Sequence, residues 1–153
     1  MTRGRTAGYG PRSARLWLSL VACLWLGAAG AADTTLPGAE WQAVQHVIAA
    51  QRTAIVARDA DKAFSYASPR IRQQFGDAAT FLSMVDAAYA PLASARYVEF
   101  LEGAVIDGLV VQPLRLIDAD NTVRVALYTM ERQRDGSWRI AGCQIAPSTV
   151  RAA

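Results

Sequence analysis

Apolar residues recur at a helical spacing between residues 39 and 58. This spacing predicts a long amphipathic helix. The residues that share its apolar face are Trp41, Val44, Val47, Ile48 and Ile55. Gln51 lies at the centre of that face, so it is either a polar group under the core or a group that lines a pocket. His46, the only histidine, falls on the opposite side and is expected to face solvent.

Short polar residues then mark the starts of further helices. Asp59 and Asp61 interrupt the apolar pattern and suit the cap of a helix over residues 62–67. Ser68 followed by Pro69 is a second start signal, and it opens a short turn.

Asp77 suits the N-cap of one more helix, which Pro91 follows. The residues on its apolar face are Phe81, Leu82, Val85 and Tyr89. After residue 95 the period of the pattern changes from helix to strand. Four antiparallel strands are predicted, over residues 96–106, 109–117, 122–133 and 138–145.

Helices followed by an antiparallel meander indicate an α+β fold, with N-terminal helices packed on a curved four-stranded sheet. Asp107-Gly108 predicts a tight hairpin between the first two strands. Several strand segments are apolar on consecutive residues, as in Leu109-Val-Val. Such strands favour cover on both faces. The helices cover one face, and a second copy of the chain would cover the other, which indicates a homodimer.

The first 31 residues have the composition of a secretory signal peptide. A basic region without acids precedes an apolar run over residues 16–29, and Ala29-Gly30-Ala31 fits a small-residue cleavage site. We therefore expect a periplasmic or secreted protein with a leader at 1–31 and a linker at 32–38. A domain at 39–147 and a frayed tail at 148–153 would follow.

Two other interpretations of the leader stay open. A retained membrane helix would need ~20 apolar residues, which is longer than this run. Leu20-Val-Ala-Cys23 resembles a lipobox, in which Cys23 would carry a lipid anchor. The apolar run continues past Cys23, however, which is unusual for a lipoprotein.

Removal of the leader changes the charge balance. Four of the 16 basic residues precede residue 31 and all 13 acidic residues follow it, so the remaining chain has a net charge of −1. Without a basic run, nucleic acid is not an expected partner, and neither is a membrane. Cys143 is then the only cysteine and is expected to be a small buried residue. A single His and a single Cys exclude a His/Cys metal cluster, and no cofactor is expected.

Polar side chains on otherwise apolar faces are the candidates for lining a pocket. These candidates are Gln51, Tyr66, Tyr89 and Tyr128. Tyrosines at such positions equally suit a core in which each hydroxyl makes one hydrogen bond. The sequence contains no glycine-rich phosphate loop and no Gly-x-Ser-x-Gly elbow, and no nucleophile–base–orienter set assembles.

Two stretches carry a resemblance to a known family. One runs from Gln51 through Asp59-Ala-Asp and Phe64-Ser-Tyr-Ala-Ser-Pro-Arg-Ile to Tyr89, and the other includes Tyr128-Thr-Met-Glu-Arg-Gln and Asp135-Gly-Ser-Trp-Arg-Ile. On these residues the chain resembles an uncharacterised bacterial domain-of-unknown-function family of the nuclear transport factor 2-like superfamily. The resemblance implies export and a cone-shaped, cystatin-like fold with a pocket between sheet and helices. It implies no activity, since this fold hosts many.

The sequence therefore favours a non-catalytic module that binds a small apolar molecule or another protein. The alternative is a small pocket enzyme of the isomerase, dehydratase or hydrolase type, with Tyr66, Tyr89 or Gln51 in the pocket. An accessory subunit that docks through the outer face of the sheet is a third possibility. An inward-facing Asp or His would favour the enzyme.

Overall fold

The computed structural model describes residues 35–146, which form five helices followed by five strands. The helices are α1 (Gly38–Val56), α2 (Ala60–Ser65), α3 (Pro69–Phe75), α4 (Ala78–Ala88) and α5 (Ala90–Ser94). The strands are β1 (Tyr97–Phe100), β2 (Ala104–Ile106), β3 (Leu109–Ile117), β4 (Val123–Arg132) and β5 (Trp138–Ala146). The predicted α+β class is confirmed. The predicted leader and tail lie outside the described residues, as does the first part of the linker.

Local sequence fixes where three of the helices begin. In each case a side-chain oxygen accepts a hydrogen bond from a backbone N–H three residues later, which satisfies a donor that the helix leaves free. The capping pairs are Asp59 with Lys62, Ser68 with Ile71 and Asp77 with Thr80. Asp61 does not cap and lies in the first turn of α2. The predicted turn after Ser68 is helix α3, and Pro91 lies in the first turn of α5.

The sheet is antiparallel throughout, with β3 and β4 at its centre. Its order is β1-β3-β4-β5, and β2 pairs with the same edge of β3 as β1 does. One face of the sheet is buried together with Val44, Ile48 and Ile55 of α1. The buried residues of that face are Val110, Gln112, Leu114, Leu116, Ala126, Tyr128, Met130, Trp138 and Ile140.

The sequence predicts four strands, and this count is wrong because the first predicted strand is split into β1 and β2. Leu101, just after β1, lies opposite Pro113 and donates its N–H to the Pro113 carbonyl at 3.1 Å. Proline has no N–H to return, so the ladder cannot continue there. The Gln112 side chain takes the place of the missing donor, and its Nε2 donates to the Leu101 carbonyl at 2.6 Å.

Gly103 completes the interruption between β1 and β2. The Trp41 ring of α1 packs directly on its backbone, and a Cβ at residue 103 would lie 2.3 Å from the nearest ring carbon. The chain resumes pairing in β2 one residue out of step with β1. A close helix–strand contact and a proline opposite therefore break what the sequence pattern presents as one strand.

The segment between α2 and α3 is attached to the edge of the sheet. The Ile140 N–H in β5 donates to the Tyr66 carbonyl at 2.9 Å, and the Ser68 N–H donates to the Ile140 carbonyl at 2.8 Å. This short parallel bridge holds the start of α3 against β5. Between residues 35 and 146, no helix is long and apolar enough to cross a bilayer.

Candidate functional site

A cavity of about 200 Å³ lies between α1, α3, α4 and β5. Its larger apolar lining residues are Ile55, Ile71, Phe75, Phe81, Met84, Val85, Leu92 and Ile140. Its polar lining residues are Gln51, Arg70, Gln74, Tyr89 and Cys143. An apolar cavity of about 150 Å³ is large enough to hold benzene. The space therefore fits a molecule with one ring or a branched chain of similar size.

Aromatic rings form one wall of the cavity. The Phe75 and Phe81 rings meet edge to face, with their centroids 5.8 Å apart. Phe64 supports Phe81 from the other side at 5.3 Å. Both distances lie in the range that aromatic pairs prefer. The wall is thus held in place by packing among its own side chains, before any ligand contributes.

A β-bulge shapes the opposite wall. The register of β4 on β5 shifts between Thr129 and Met130, which leaves Ala141 as an extra residue in β5. Bulges bend a strand and redirect its side chains, and they are frequent beside functional sites. The carbonyl of Ala141 accepts a hydrogen bond from Arg70 Nη2 at 3.0 Å. This bond places the Arg70 guanidinium at the rim of the cavity.

Gln51 and Tyr89, two of the four predicted pocket residues, line this cavity. Gln51 is only 3% exposed, and its Nε2 donates to the Ala63 carbonyl at 3.1 Å. The Tyr89 hydroxyl donates to the Cys143 carbonyl at 2.8 Å. Partial burial is the main cause that raises the pKa of Tyr89 above its ordinary value. Both side chains are therefore held by backbone groups and present fixed polar atoms at the wall.

Tyr128 is fully buried in β4 and does not line the cavity. It lies opposite Cys143 in the β4–β5 pairing, and its hydroxyl has no hydrogen-bond partner among residues 35–146. Burial, and next the neighbouring Cys143, raise the pKa of Tyr128 well above its ordinary value. Burial also raises the pKa of the Cys143 thiol to about 12. The thiol therefore stays protonated near neutral pH and is a poor nucleophile.

Tyr66, the remaining candidate, lies outside the cavity. It follows the last turn of α2 and lines a separate surface depression together with His46, Asp59 and Lys62. His46 is exposed, in agreement with its predicted position. The structure therefore separates Tyr66 from Gln51 and Tyr89, which the sequence placed in one candidate set.

Sequence reasoning did not identify Arg70 and Gln74 as lining residues. Both belong to α3, which the sequence presents as a short turn. Their spacing of four residues puts them on one side of a helix. The helix start at Ser68-Pro69 was the available signal, since a helix from that point would have aligned the two side chains.

The lining residues can form hydrogen bonds and apolar contacts, but the described ones lack the groups that usually serve in acid–base or metal catalysis. Neither a carboxylate nor an imidazole of residues 35–146 lines the cavity. Within the same residues, no group of three His, Cys, Asp or Glu could hold a metal ion. The arrangement can enclose an apolar body and hydrogen-bond its polar end, which is the usual composition of a small-molecule site.

The chain belongs to the DUF4864 family, a domain of unknown function, whose family model matches residues 38–153. This finding confirms the predicted membership of an uncharacterised domain family. No curated protein and no solved structure matches the chain.

Proposed function

We propose that this protein is an exported, non-catalytic module with a nuclear transport factor 2-like fold, which binds a small apolar molecule in the cavity between its helices and its sheet. The observation that carries the proposal is the cavity itself. It has apolar walls, a small set of fixed polar groups and a volume of about 200 Å³. The fold assignment is supported by a pocket that lies between the helical layer and an antiparallel sheet.

The pKa values of the lining groups support binding rather than acid–base catalysis. A general acid or base works best when its pKa lies near the operating pH. Burial moves the pKa of Tyr89 and of Cys143 upward, away from neutral pH. General acid–base catalysis near neutral pH is favoured by a group that titrates near pH 7, and the lining provides no Asp, Glu or His from the described residues.

Export is supported by the first 31 residues, which combine a basic region, an apolar run and a small-residue cleavage site. The proposal is a periplasmic or secreted protein that loses this leader. Lipidation at Cys23 would instead anchor the protein to a membrane. The N-terminal residue of the mature protein distinguishes the two, because cleavage leaves Ala32 or Asp33 and lipidation leaves Cys23.

Small neutral aromatic compounds, such as toluene and indole, test whether the cavity binds a ligand. A ligand at ten times its Kd stabilises the folded chain by about 1.4 kcal/mol. At about 4 °C per kcal/mol, the melting temperature should rise by about 6 °C. Ala141→Leu adds an isopropyl group at the cavity wall and should abolish the rise. Ala87→Leu is the control, because Ala87 is exposed on α4 and does not line the cavity.

Three outcomes would contradict a non-catalytic ligand site in this cavity. If Ala141→Leu and Ala87→Leu respond to the compounds as the wild type does, the compounds bind elsewhere. If no neutral or charged compound shifts the melting temperature, the cavity is not a ligand site. Turnover of any substrate that is lost on Tyr89→Phe would replace the binding module with the enzyme alternative.

A second copy of the chain is the partner that we propose for the outer face of the sheet. Apolar side chains lie opposite one another there, with Pro113 beside Leu127 and Ile117 beside Val123. Leu127 at the centre of β4 is 37% exposed. Arg115, on the same face, forms an ion pair with Glu99 at 2.8 Å. The centre of this face is therefore apolar, whereas charged residues such as Glu131 and Arg139 lie farther along it. Exposed apolar patches with a polar rim are typical of interfaces.

Leu127→Lys tests the homodimer. The wild type should sediment with twice the mass of one chain, and Leu127→Lys should sediment as a monomer. Val56→Lys is the control, since Val56 is an exposed apolar residue at the end of α1 and outside the sheet. A wild type that stays monomeric at all concentrations would remove the homodimer and favour another protein as the partner of this face.

A further inference from the structure

The charge of the cavity is unbalanced. Arg70 is the one charged side chain among the described lining residues, and no acidic residue lines the cavity. None of the carboxylates within residues 35–146 forms an ion pair with Arg70. The lining thus carries one positive charge, which no carboxylate of the described residues neutralises.

Among residues 35–146, the Arg70 guanidinium has a single hydrogen-bond partner. A guanidinium has five N–H donors in a planar fork, and such a fork matches the two oxygens of a carboxylate. One nitrogen, Nη2, donates to the Ala141 carbonyl at 3.0 Å, which fixes the side chain beside the bulge. Arg70 is otherwise exposed, so one nitrogen is held at the backbone of β5 and the remaining donors are accessible to a ligand at the cavity.

Two neutral amides also line the cavity. Gln74 lies one turn after Arg70 on the same side of α3 and also lines the cavity. Gln51 lies in the wall with one of its two amide protons used by the Ala63 carbonyl. Each amide has N–H donors and an acceptor oxygen, so both glutamines can hydrogen-bond the oxygens of a ligand without adding charge to the cavity.

We infer that the molecule held in this cavity is a small monocarboxylic acid, with its carboxylate at Arg70 and a single ring or short branched chain among Phe75, Phe81 and Met84. This inference rests on the proposed function and goes further, because it fixes the charge and the orientation of the ligand. The apolar walls alone would accept a neutral hydrocarbon equally well. Arg70 is the residue that separates an acid from its neutral analogue.

Calorimetric titration of two related probes tests the inference. The probes are 3-phenylpropanoate and 3-phenylpropan-1-ol, which share a ring and a chain and differ in the charged end. They are titrated into three forms of the full-length protein, namely the wild type, Arg70→Gln and Arg72→Gln. Arg72 lies on the same helix, is exposed and does not line the cavity, so its variant removes an equal charge from the surface.

The wild type should bind the acid at least about tenfold more tightly than the alcohol. Arg70→Gln should weaken the acid about tenfold, which corresponds to about 1.4 kcal/mol, and leave the alcohol unchanged. Arg72→Gln should change neither. Equal binding of acid and alcohol by the wild type would overturn the inference, as would an equal loss in both variants.

The failure of this inference is distinguishable from the failure of the proposed function. If toluene and indole bind and the acid shows no preference, the cavity is a ligand site but Arg70 does not select a carboxylate. If no probe of either kind binds, both the inference and the proposed function are wrong. Retention of the acid preference in Arg70→Gln would assign the selection to another group and overturn the inference.

Discussion

Replacing Gln112 with methionine removes the side chain that bridges the interruption between β1 and β2. Gln112 is completely buried. Its Nε2 donates to the Leu101 carbonyl at 2.6 Å and to the Pro113 carbonyl at 3.0 Å. Its Oε1 accepts from Gln45 Nε2 at 3.3 Å. Methionine has a similar length and volume but offers no donor, so the change isolates these hydrogen bonds.

The expected cost follows from the groups left without partners. Leu101 would lose the donor to its carbonyl, because Pro113 opposite has no N–H. A buried polar group without a partner costs about 1–3 kcal/mol. Methionine fills nearly the same space, so the cavity contribution is small. We expect a loss of about 2 kcal/mol, or about 8 °C in melting temperature for a domain of this size.

A second change makes the prediction specific. Pro113→Ala supplies a backbone N–H opposite the Leu101 carbonyl. In the wild type it should cost about 0.4–1 kcal/mol, because the unfolded chain gains freedom. In Gln112→Met it should instead recover about 1 kcal/mol. The four stabilities are measured by urea unfolding followed by circular dichroism, with Gln144→Met, an exposed glutamine of β5, as the surface control.

Additive effects would refute this reasoning. If the Gln112 and Pro113 changes combine within about 0.5 kcal/mol of their sum, the two sites are not coupled. A loss in Gln112→Met no larger than that in Gln144→Met would also refute it. In either case, the Gln112 amide does not replace the donor that proline lacks.

Two further predictions concern β5 and α3. The pKa of Cys143 is about 12 in the folded chain against an ordinary 9.0, so the folded state holds this proton more tightly. The resulting stability is present below pH 9 and is lost as pH rises toward 12, by up to about 1.4 kcal/mol per pH unit. Urea unfolding between pH 9 and 11 should show that the free energy of unfolding falls with pH, and Cys143→Ala should reduce this dependence. An unchanged dependence in Cys143→Ala would show that the Cys143 thiol does not cause it. Ser68→Ala removes the cap on the Ile71 N–H and should lower the free energy of unfolding by about 1 kcal/mol, measured by thermal unfolding. Ser83→Ala, at an exposed position of α4, is the control and should change the free energy of unfolding by less than about 0.5 kcal/mol. Equal losses in the two variants would contradict the role of Ser68 as a cap.

The parts of the fold that the sequence predicts are those set by neighbours along the chain. Asp59, Ser68 and Asp77 cap helices through residues only three positions away, so the signal is local. The split between β1 and β2 depends instead on Pro113 lying opposite Leu101. That pairing exists only in the folded sheet, and a pattern along one strand does not contain it.

In the candidate site, too, local sequence patterns predict some residues, and contacts between distant parts of the chain determine the others. The sequence identifies Gln51 because it lies on the apolar face of the first helix, and Tyr89 because it shares the apolar face of the helix that Asp77 caps. Arg70 reaches the cavity because the chain before α3 pairs with Ile140 and because the Ala141 carbonyl, at the β-bulge, accepts its hydrogen bond. Tyr66 offers its carbonyl to that same bridge, while its side chain lines a different depression. Contacts between distant parts of the chain decide these positions.

The most direct test of the central claim is native mass spectrometry of the protein. The full chain is expressed in bacteria and purified from the cell envelope without denaturation. We predict a mass that starts at Ala32 or Asp33 and carries one small noncovalently bound molecule, which is absent from Ala141→Leu prepared in parallel. An unprocessed chain from Met1 without a bound molecule would contradict both export and ligand binding, and a start at an acylated Cys23 would replace the soluble exported protein with a lipoprotein.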